Sequence, residues 1–493
     1  MDSVQPTING AANGTPDYIS MIGGELEKAK QLHVEAKQEA LTGKSYQKVL
    51  TELLYQIHPV DFRERAALGE DDKISRKLYV VISIDEIIGT AIRNNWGLCT
   101  KDGFIYVFNG KYWQVVNADD FKPFLADAAI KMGVPVLEAK YHQFKDELYK
   151  QFLSASNLPT PESKKTVLIN LLNGTFEITS DKQELREQRR DDFIKYQLPF
   201  EYNPDARCPI FDKYLNRVVP DADCRKVLAE YLGYIFINNL KLEKALILYG
   251  SGANGKSVFF EIVNAILGDE NICSYSLQNL TKYDSYQRAE LSNKLLNYAS
   301  EINGKLEASI FKQLVSGEPV EARQIYGKPF VMRDYGKLMF NCNELPKEVE
   351  QTNAFFRRFI IIPFNQTIPE SEQDPELAKK IIASELSGVF NWLLDGLRRV
   401  LAQRKFTQSE MVRDQVEAYR RESDSVAMFI EEEGYAPDIE DFVFLKGIYS
   451  EYKTFCTENG YRPCSVRTLS DRLKMLLFDT KKTMHGVIVY AKK

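Results

Sequence analysis

Apolar positions along the chain follow two rhythms, one of three to four residues and one of two, and the exchange between them marks out the predicted elements. From Glu25 to about Ile57 the spacing is helical, with Leu32, Val34 and Ala36, then Val49, Leu50, Leu53 and Leu54, supplying apolar faces. Gly103 to Val116 alternates aromatic and β-branched residues around Asn109-Gly110, and Val167 to Ile178 suggests a second strand pair turning at Asn173-Gly174. Both predict hairpins with a structural role. Helical spacing returns from Cys208 to Asn239. It then gives way to the continuous apolar run Ala245–Tyr249, a predicted strand that leads through a glycine-rich stretch into an apolar helix ending near Leu267.

Further short β-type runs follow at Lys294 to Glu301, Lys337 to Phe340 and Phe355 to Phe364. Asp374 to Leu401 is amphipathic and predicts helices covering one face of the preceding strands. A charged helical connector from about Thr407 to Asp424 leads to a last small unit, Val426 to Lys493. The pattern therefore predicts an α/β protein in segments: a leader and helical stretch over 1–75, a mixed α/β domain over 76–206, a helical collar over 207–240, the central α/β unit over 241–402, the connector over 403–425 and a terminal domain over 426–493.

Composition narrows the class. With 44% hydrophobic and 27% charged residues, 493 residues make an ordinary globular protein of several domains. No apolar run approaches the length of a membrane span, and the first twenty residues have neither a basic start nor an apolar core, so a cytoplasmic location in a bacterial host cell or equivalent is expected. Seven cysteines and four histidines are scattered without a C-x-x-C pair, which indicates neither zinc nor a disulfide framework. The acidic pairs Asp71-Asp72, Asp119-Asp120 and Asp191-Asp192 are adjacent rather than alternating and are read as solvated loops, so no priming chemistry is expected. A net charge of −5 requires any nucleic-acid contact to come from a local patch or an enclosed channel.

The chemistry is concentrated in Gly250-Ser251-Gly252-Ala253-Asn254-Gly255-Lys256-Ser257, which has the spacing G-x-x-x-x-G-K-[ST] between a strand and a helix. Glycines there let backbone N–H groups turn inward around a polyphosphate, Lys256 reaches the outer phosphates, Ser257 offers a hydroxyl to Mg²⁺, and the helix start faces the anion. Hydrolysis of ATP also needs a water-orienting carboxylate, a polar sensor and positive charge. Glu301, at the end of KLLNYASE, is the candidate carboxylate and touches the metal through water, or is a solvent-facing strand end; Ser300 stands where an Asp is usual. Asn343, after the strand of GKLMFNCNELP, is the candidate sensor or a turn cap before Pro346. Arg357 and Arg358 in FFRRFIIIPF are either solvated charges or arginines that act on a neighbouring subunit.

Taken in order, GSGANGKS, the strand ending ASEI, FKQLVSGEPVEARQIYGKPF, KLMFNCNELP and RRFIIIPF resemble the superfamily 3 helicases, most closely the phage and plasmid primase-helicase family that includes the poxvirus primase-helicase. The resemblance runs from about Asn170 to Leu401 and includes YNPDARCPIFDKYL. It implies an AAA+-like P-loop ATPase core in a homo-hexameric ring, ATP and Mg²⁺ as cofactors, 3′→5′ movement on single-stranded and forked DNA during replication, and Arg358, with Arg357 second, acting on the neighbour's nucleotide. It also implies a hairpin over Arg323 to Phe330 that grips one strand, with Lys328 at its tip and Arg323 as a weaker candidate. The bland reading of that hairpin is a surface turn with an incidental lysine. Ser465 to Leu477 followed by two strands resembles the winged-helix tails of the same family, which implies duplex or origin DNA, or a replication protein, as partner. Two rivals remain: a P-loop kinase acting on a small molecule, and a non-replicative AAA+ switch or remodeller that does not unwind DNA.

Overall fold

The computed structural model describes residue 35 and residues 37–156, 166–179, 182–300, 302, 306–324, 329–347 and 349–493. The centre of the molecule is a parallel five-stranded sheet. Its strands are β7 (Ala245–Tyr249), β8 (Ile272–Cys273), β9 (Leu296–Ala299), β12 (Lys337–Cys342) and β13 (Phe359–Pro363), in the order β13-β7-β12-β9-β8. Parallel strands need crossovers that cover both faces, which explains why these runs are apolar throughout rather than alternating. Leu246 and Leu248 of β7 join Ile360 and Ile362 of β13 in one core, while Ala245 and Ile247 join Phe359 and Ile361 in the other.

The first face is covered by helices α5 (Pro209–Val218), α6 (Ala222–Tyr234), α7 (Lys256–Leu267) and α9 (Leu377–Gln403). The amphipathic stretch expected to form several helices is thus one helix of 27 residues. It lies against α6 at backbone distance, since a Cβ on Gly396 would fall 2.2 Å from the Ala229 carbonyl carbon. The second face carries α8 (Ala308–Ser316) and the hairpin of β10 (Val320–Arg323) with β11 (Pro329–Met332). Helix α10 (Glu410–Glu422), the expected charged connector, reaches this core through Tyr419.

The N-terminal part builds its own core from helices α1 (Tyr46–Tyr55), α2 (Arg76–Arg93), α3 (Ala118–Met132) and α4 (His142–Ala155), with part of a sheet of β1 (Leu98–Lys101), β2 (Phe104–Phe108) and β3 (Trp113–Val116). A second sheet, β4 (Val167–Leu171), β5 (Gly174–Ile178) and β6 (Gln183–Arg186), packs into the core of the first face. Both expected hairpins are present, and each turns one position away from the expected pair. Asn109 opens its turn by accepting from the amides of Lys111 and Tyr112, which centres the turn on Gly110-Lys111. In the second hairpin Leu171 pairs with Gly174, so the two loop residues are Leu172 and Asn173. Gly174 is in the strand because the Arg186 carbonyl of β6 leaves no room for a Cβ, which would sit 2.6 Å away.

The C-terminal residues form a separate small core of α11 (Ser425–Glu432), β14 (Ala436–Phe444), α12 (Leu445–Glu458), α13 (Val466–Met475), β15 (Thr480–Thr483) and β16 (Gly486–Lys492). Of the three acidic pairs read as loops, Asp119-Asp120 occupies the first turn of α3, where the helix dipole favours it. Asp192 is held by Arg186, whose guanidinium donates to both of its oxygens at 2.8 and 2.9 Å. No cluster of potential metal ligands occurs among the described residues, and the seven cysteines are free thiols. No described helix is long and apolar enough to cross a membrane.

Candidate functional site

The glycine-rich stretch connects the carboxyl end of β7 to α7. Between these elements Gly252, Ala253 and Gly255 all take positive φ, at 108°, 46° and 87°, which curls the backbone back over the helix start. Two glycines are required by geometry. At Gly250 a Cβ would lie 2.3 Å from the Phe364 carbonyl oxygen, and at Gly255 it would meet Val218 at 2.8 Å. The loop is tied to the sheet beneath it: the Gly250 amide donates to Cys342 of β12, Asn254 Nδ2 donates to Phe364 at 2.7 Å, and Tyr214 of α5 donates to the Gly255 carbonyl at 2.7 Å.

Lys256 is buried and donates to the Gly250 carbonyl and to Asn254 Oδ1. Its ammonium therefore sits over the loop, where a polyphosphate would replace neutral oxygens with charged ones. Burial pulls its pKa below the usual lysine value, with Cys342 opposing weakly. Ser251 and Ser257 are exposed at the loop. A loop whose Gly250 and Gly255 leave no room for a Cβ, an enclosed lysine and a free hydroxyl at a helix start suit a polyphosphate with its cation.

Asn343 is exposed immediately beyond Cys342, the residue whose carbonyl anchors Gly250, so it stands at the same sheet edge as the loop. Asn341, one turn of the strand earlier, is buried and accepts from Tyr298 at 2.8 Å. Ser300 is exposed after β9, at that edge also, and Glu301 lies outside the described residues. Lys328 lies outside them too. The strands flanking it, β10 and β11, pair antiparallel with Arg323 opposite Pro329, and Phe330 packs edge-on against Phe104 of β2 at 5.7 Å.

The arginine pair sits at the other end of the sheet. The Arg358 carbonyl accepts from Ala245, the first residue of β7, whereas the loop follows the last. The two ends are separated by about 16 Å, at 3.3 Å per strand residue. Arg358 is buried and bonded inside its own chain, to Ser316 Oγ at 3.1 Å, to the Ala354 carbonyl and to Glu243 at 3.4 Å. Arg357 is half exposed and pairs with Glu243 at 2.6 Å. Sequence spacing could not separate these two roles.

Contacts from distant segments complete the loop's surroundings and carry no local signal in the sequence. Tyr214 and Phe364 are examples. A cavity of 320 Å³ beside Tyr249 and Glu344 is closed by Tyr419, Glu422 and Tyr461, so residues near the C-terminal core reach the loop's neighbourhood.

Residues 76–220 match the family model "D5 N terminal like", residues 421–492 match "Poxvirus D5 protein-like", and residues 248–358 match a family of unknown function, DUF5906. Two of these three matches are to D5-type families. Among curated relatives, this D5-like chain is 25% identical over 225 residues to "Putative helicase L207/L206" of Acanthamoeba polyphaga mimivirus, covering 43% of the chain and 23% of that protein. It is 23% identical over 315 residues to "Putative helicase 121R" of Invertebrate iridescent virus 3, covering 56% and 33%. The chain thus spans about a quarter to a third of the length of these relatives. An apo structure of the NrS-1 C terminal region aligns at 13% identity over 85% of this chain and 99% of that one, with a TM-score of 0.44.

Proposed function

We propose that this chain is the motor of a ring-forming, ATP-driven DNA helicase or translocase that serves replication of a phage, viral or other mobile genome. The loop Gly250–Ser257 holds the triphosphate through its amides and Lys256, and Ser257 gives its hydroxyl to Mg²⁺, which would neutralise charge between the outer phosphates. Glu301 orients the attacking water and Asn343 senses the γ-phosphate from the adjoining strand end. The hairpin carrying Lys328 and Arg323 grips one DNA strand, and movement is 3′→5′ as the family resemblance implies. The C-terminal unit, a helix followed by a two-stranded wing, contacts duplex DNA or a replication partner.

One observation carries the reading. The loop and the arginine pair occupy opposite ends of β7, beyond the reach of one side chain, so an arginine completes the site only when supplied by another copy. Arg357 is half exposed although it pairs with Glu243, whereas Arg358 is buried and bonded to Ser316 and the Ala354 carbonyl; the reading therefore gives the role in trans to Arg357 before Arg358. The decisive measurement is ATP turnover by the full chain with and without oligothymidylate, together with particle mass in an ATP analogue. The proposal expects assembly with nucleotide and stimulation by the oligomer. A particle that stays monomeric and hydrolyses ATP at a rate indifferent to DNA overturns it.

A further inference from the structure

A second cavity, of 370 Å³, lies where the N-terminal sheets meet the amino ends of β9 and β12, at the sheet end opposite the phosphate-type loop. Four lysines line it: Lys101, Lys195, Lys294 and Lys337. Lys294 donates to the Glu270 carbonyl at 2.6 Å, Lys101 lies 5.2 Å from the ring centre of Phe193, and Lys337 lies 4.5 Å from that of Tyr234. None of Lys101, Lys195 and Lys337 forms an ion pair among the described residues. The acidic side chains nearby do not compensate. Asp192 is taken by Arg186 and Asp191 turns outward beside Arg190, which leaves Asp334 on the wall, with Asp102 acting on Lys195 from beyond it.

Four ammonium groups facing fewer carboxylates are costly to enclose unless a further anion joins them. Burial accordingly lowers the pKa of Lys195, and that of Lys337 to about 8 with a further contribution from Lys241, against the opposing charge of Asp334. The rest of the wall is aromatic and amide in character, with Phe193, Tyr196, Phe236 and Asn293. Two of these residues hold left-handed backbone without being glycine, Phe193 at φ 49° and Asn293 at φ 62°, and Tyr106 fixes the Asn293 amide by donating at 2.9 Å. Backbone held in such conformations collects at ligand sites, and the volume lies in the range of small-molecule pockets.

We infer that this cavity binds a nucleoside phosphate, with Lys195, Lys337 and Lys101 on the phosphate and the aromatic and amide wall on the nucleoside. The ligand is either a free nucleotide or the phosphorylated end of a nucleic-acid strand, two sources of one chemistry. The inference stands apart from the proposed ATPase site, because the cavity and the loop sit at opposite sheet ends.

The test uses the full chain carrying Lys256→Ala, so that binding at the loop does not contribute. Lysines are acetylated with acetic anhydride, alone, with ADP, or with 5′-phosphorylated oligothymidylate, and the rate at each lysine is read by mass spectrometry. Tenfold or greater protection of Lys195 and Lys337 by ADP identifies a free nucleotide, and the same protection by the oligomer alone identifies a strand end. Protection by neither overturns the inference. Fluorescence anisotropy with the protecting ligand then follows: Lys195→Gln with Lys337→Gln weakens binding at least tenfold, and Lys195→Arg with Lys337→Arg retains it. Equal binding by the glutamine and arginine pairs also overturns the inference.

Discussion

At the residue scale, adjacent arginines separate by what surrounds them. Arg358 is buried, with its Nε unbonded, and Arg358→Ala would strip its guanidinium from the buried Ser316 hydroxyl, while Glu243 keeps Arg357. That substitution is expected to cost about 1–3 kcal/mol of stability, read as a lowered melting temperature. Arg357→Ala leaves melting within about 0.5 kcal/mol of the parent and lowers ATP turnover by roughly 10³-fold or more. If Arg358→Ala instead keeps its stability and loses the turnover, the roles are exchanged. Lys256 supplies a second expectation. Its pKa is depressed in the folded chain by burial, so the empty protein gains stability as pH rises from that lowered value toward the ordinary 10.5. Nucleotide affinity runs the other way, falling as pH rises through the same window, because the bound phosphates need the charged amine. Denaturation and binding curves measured from pH 8 to 10.5 should show these opposed slopes, and both should flatten in Lys256→Met.

At the element scale, the loop and the long helix depend on backbone contacts that leave no room for a methyl group. Gly250→Ala places a Cβ against a carbonyl that cannot move without shifting β13, and Gly396→Val drives α9 off α6. Each is expected to cost about 1–3 kcal/mol by overpacking, with the first abolishing nucleotide binding and the second affecting only stability. Calorimetry alongside nucleotide titration separates them. These contacts also show what the sequence could convey. The strand before the loop and the helix after it were legible because period is local, and the β10–β11 pairing was expected from the family resemblance. The shift of both hairpin turns by one residue was not, since it follows from an Asn109 side chain closing its own turn and from β6 crowding Gly174. Strand β1, beside the expected hairpin, had no apolar alternation to mark it, and the single 27-residue helix and the seating of Tyr214 on Gly255 depend on segments far apart in the chain. In the C-terminal unit, ion pairs within the fold reduce the positive charge available to a partner. Arg472, Lys492 and Lys493 are paired with Asp424, Asp438, Glu433 and Glu451; Arg462 and Arg467 are exposed without an ion pair among the described residues, and so are the two lysines of β15, Lys481 and Lys482. Replacing both with alanine should reduce the salt dependence of duplex binding by about two charge contacts, a slope change of roughly 1.8 by counterion release.

At the scale of the whole molecule, the separation of the loop from Arg357 makes a statement about mixtures. In a heterologous ring each interface joins the loop of one chain to the arginine edge of the next. Lys256→Ala chains lack the first half, Arg357→Ala chains lack the second, and each population alone should be almost inert. Mixed one to one and allowed to exchange, an intact pair requires an Arg357→Ala chain on the loop side and a Lys256→Ala chain on the arginine side. Random assembly gives that arrangement at about one quarter of interfaces, the product of two chances of about one half. Turnover should therefore recover toward roughly a quarter of the parent value when interfaces act independently, and toward less when they must fire in sequence. A mixture as inactive as its components, under conditions where mass measurement shows mixed particles, would mean that the arginine works within its own chain or not at all. It would also remove the reason to place the arginine edge of one subunit against the loop of another.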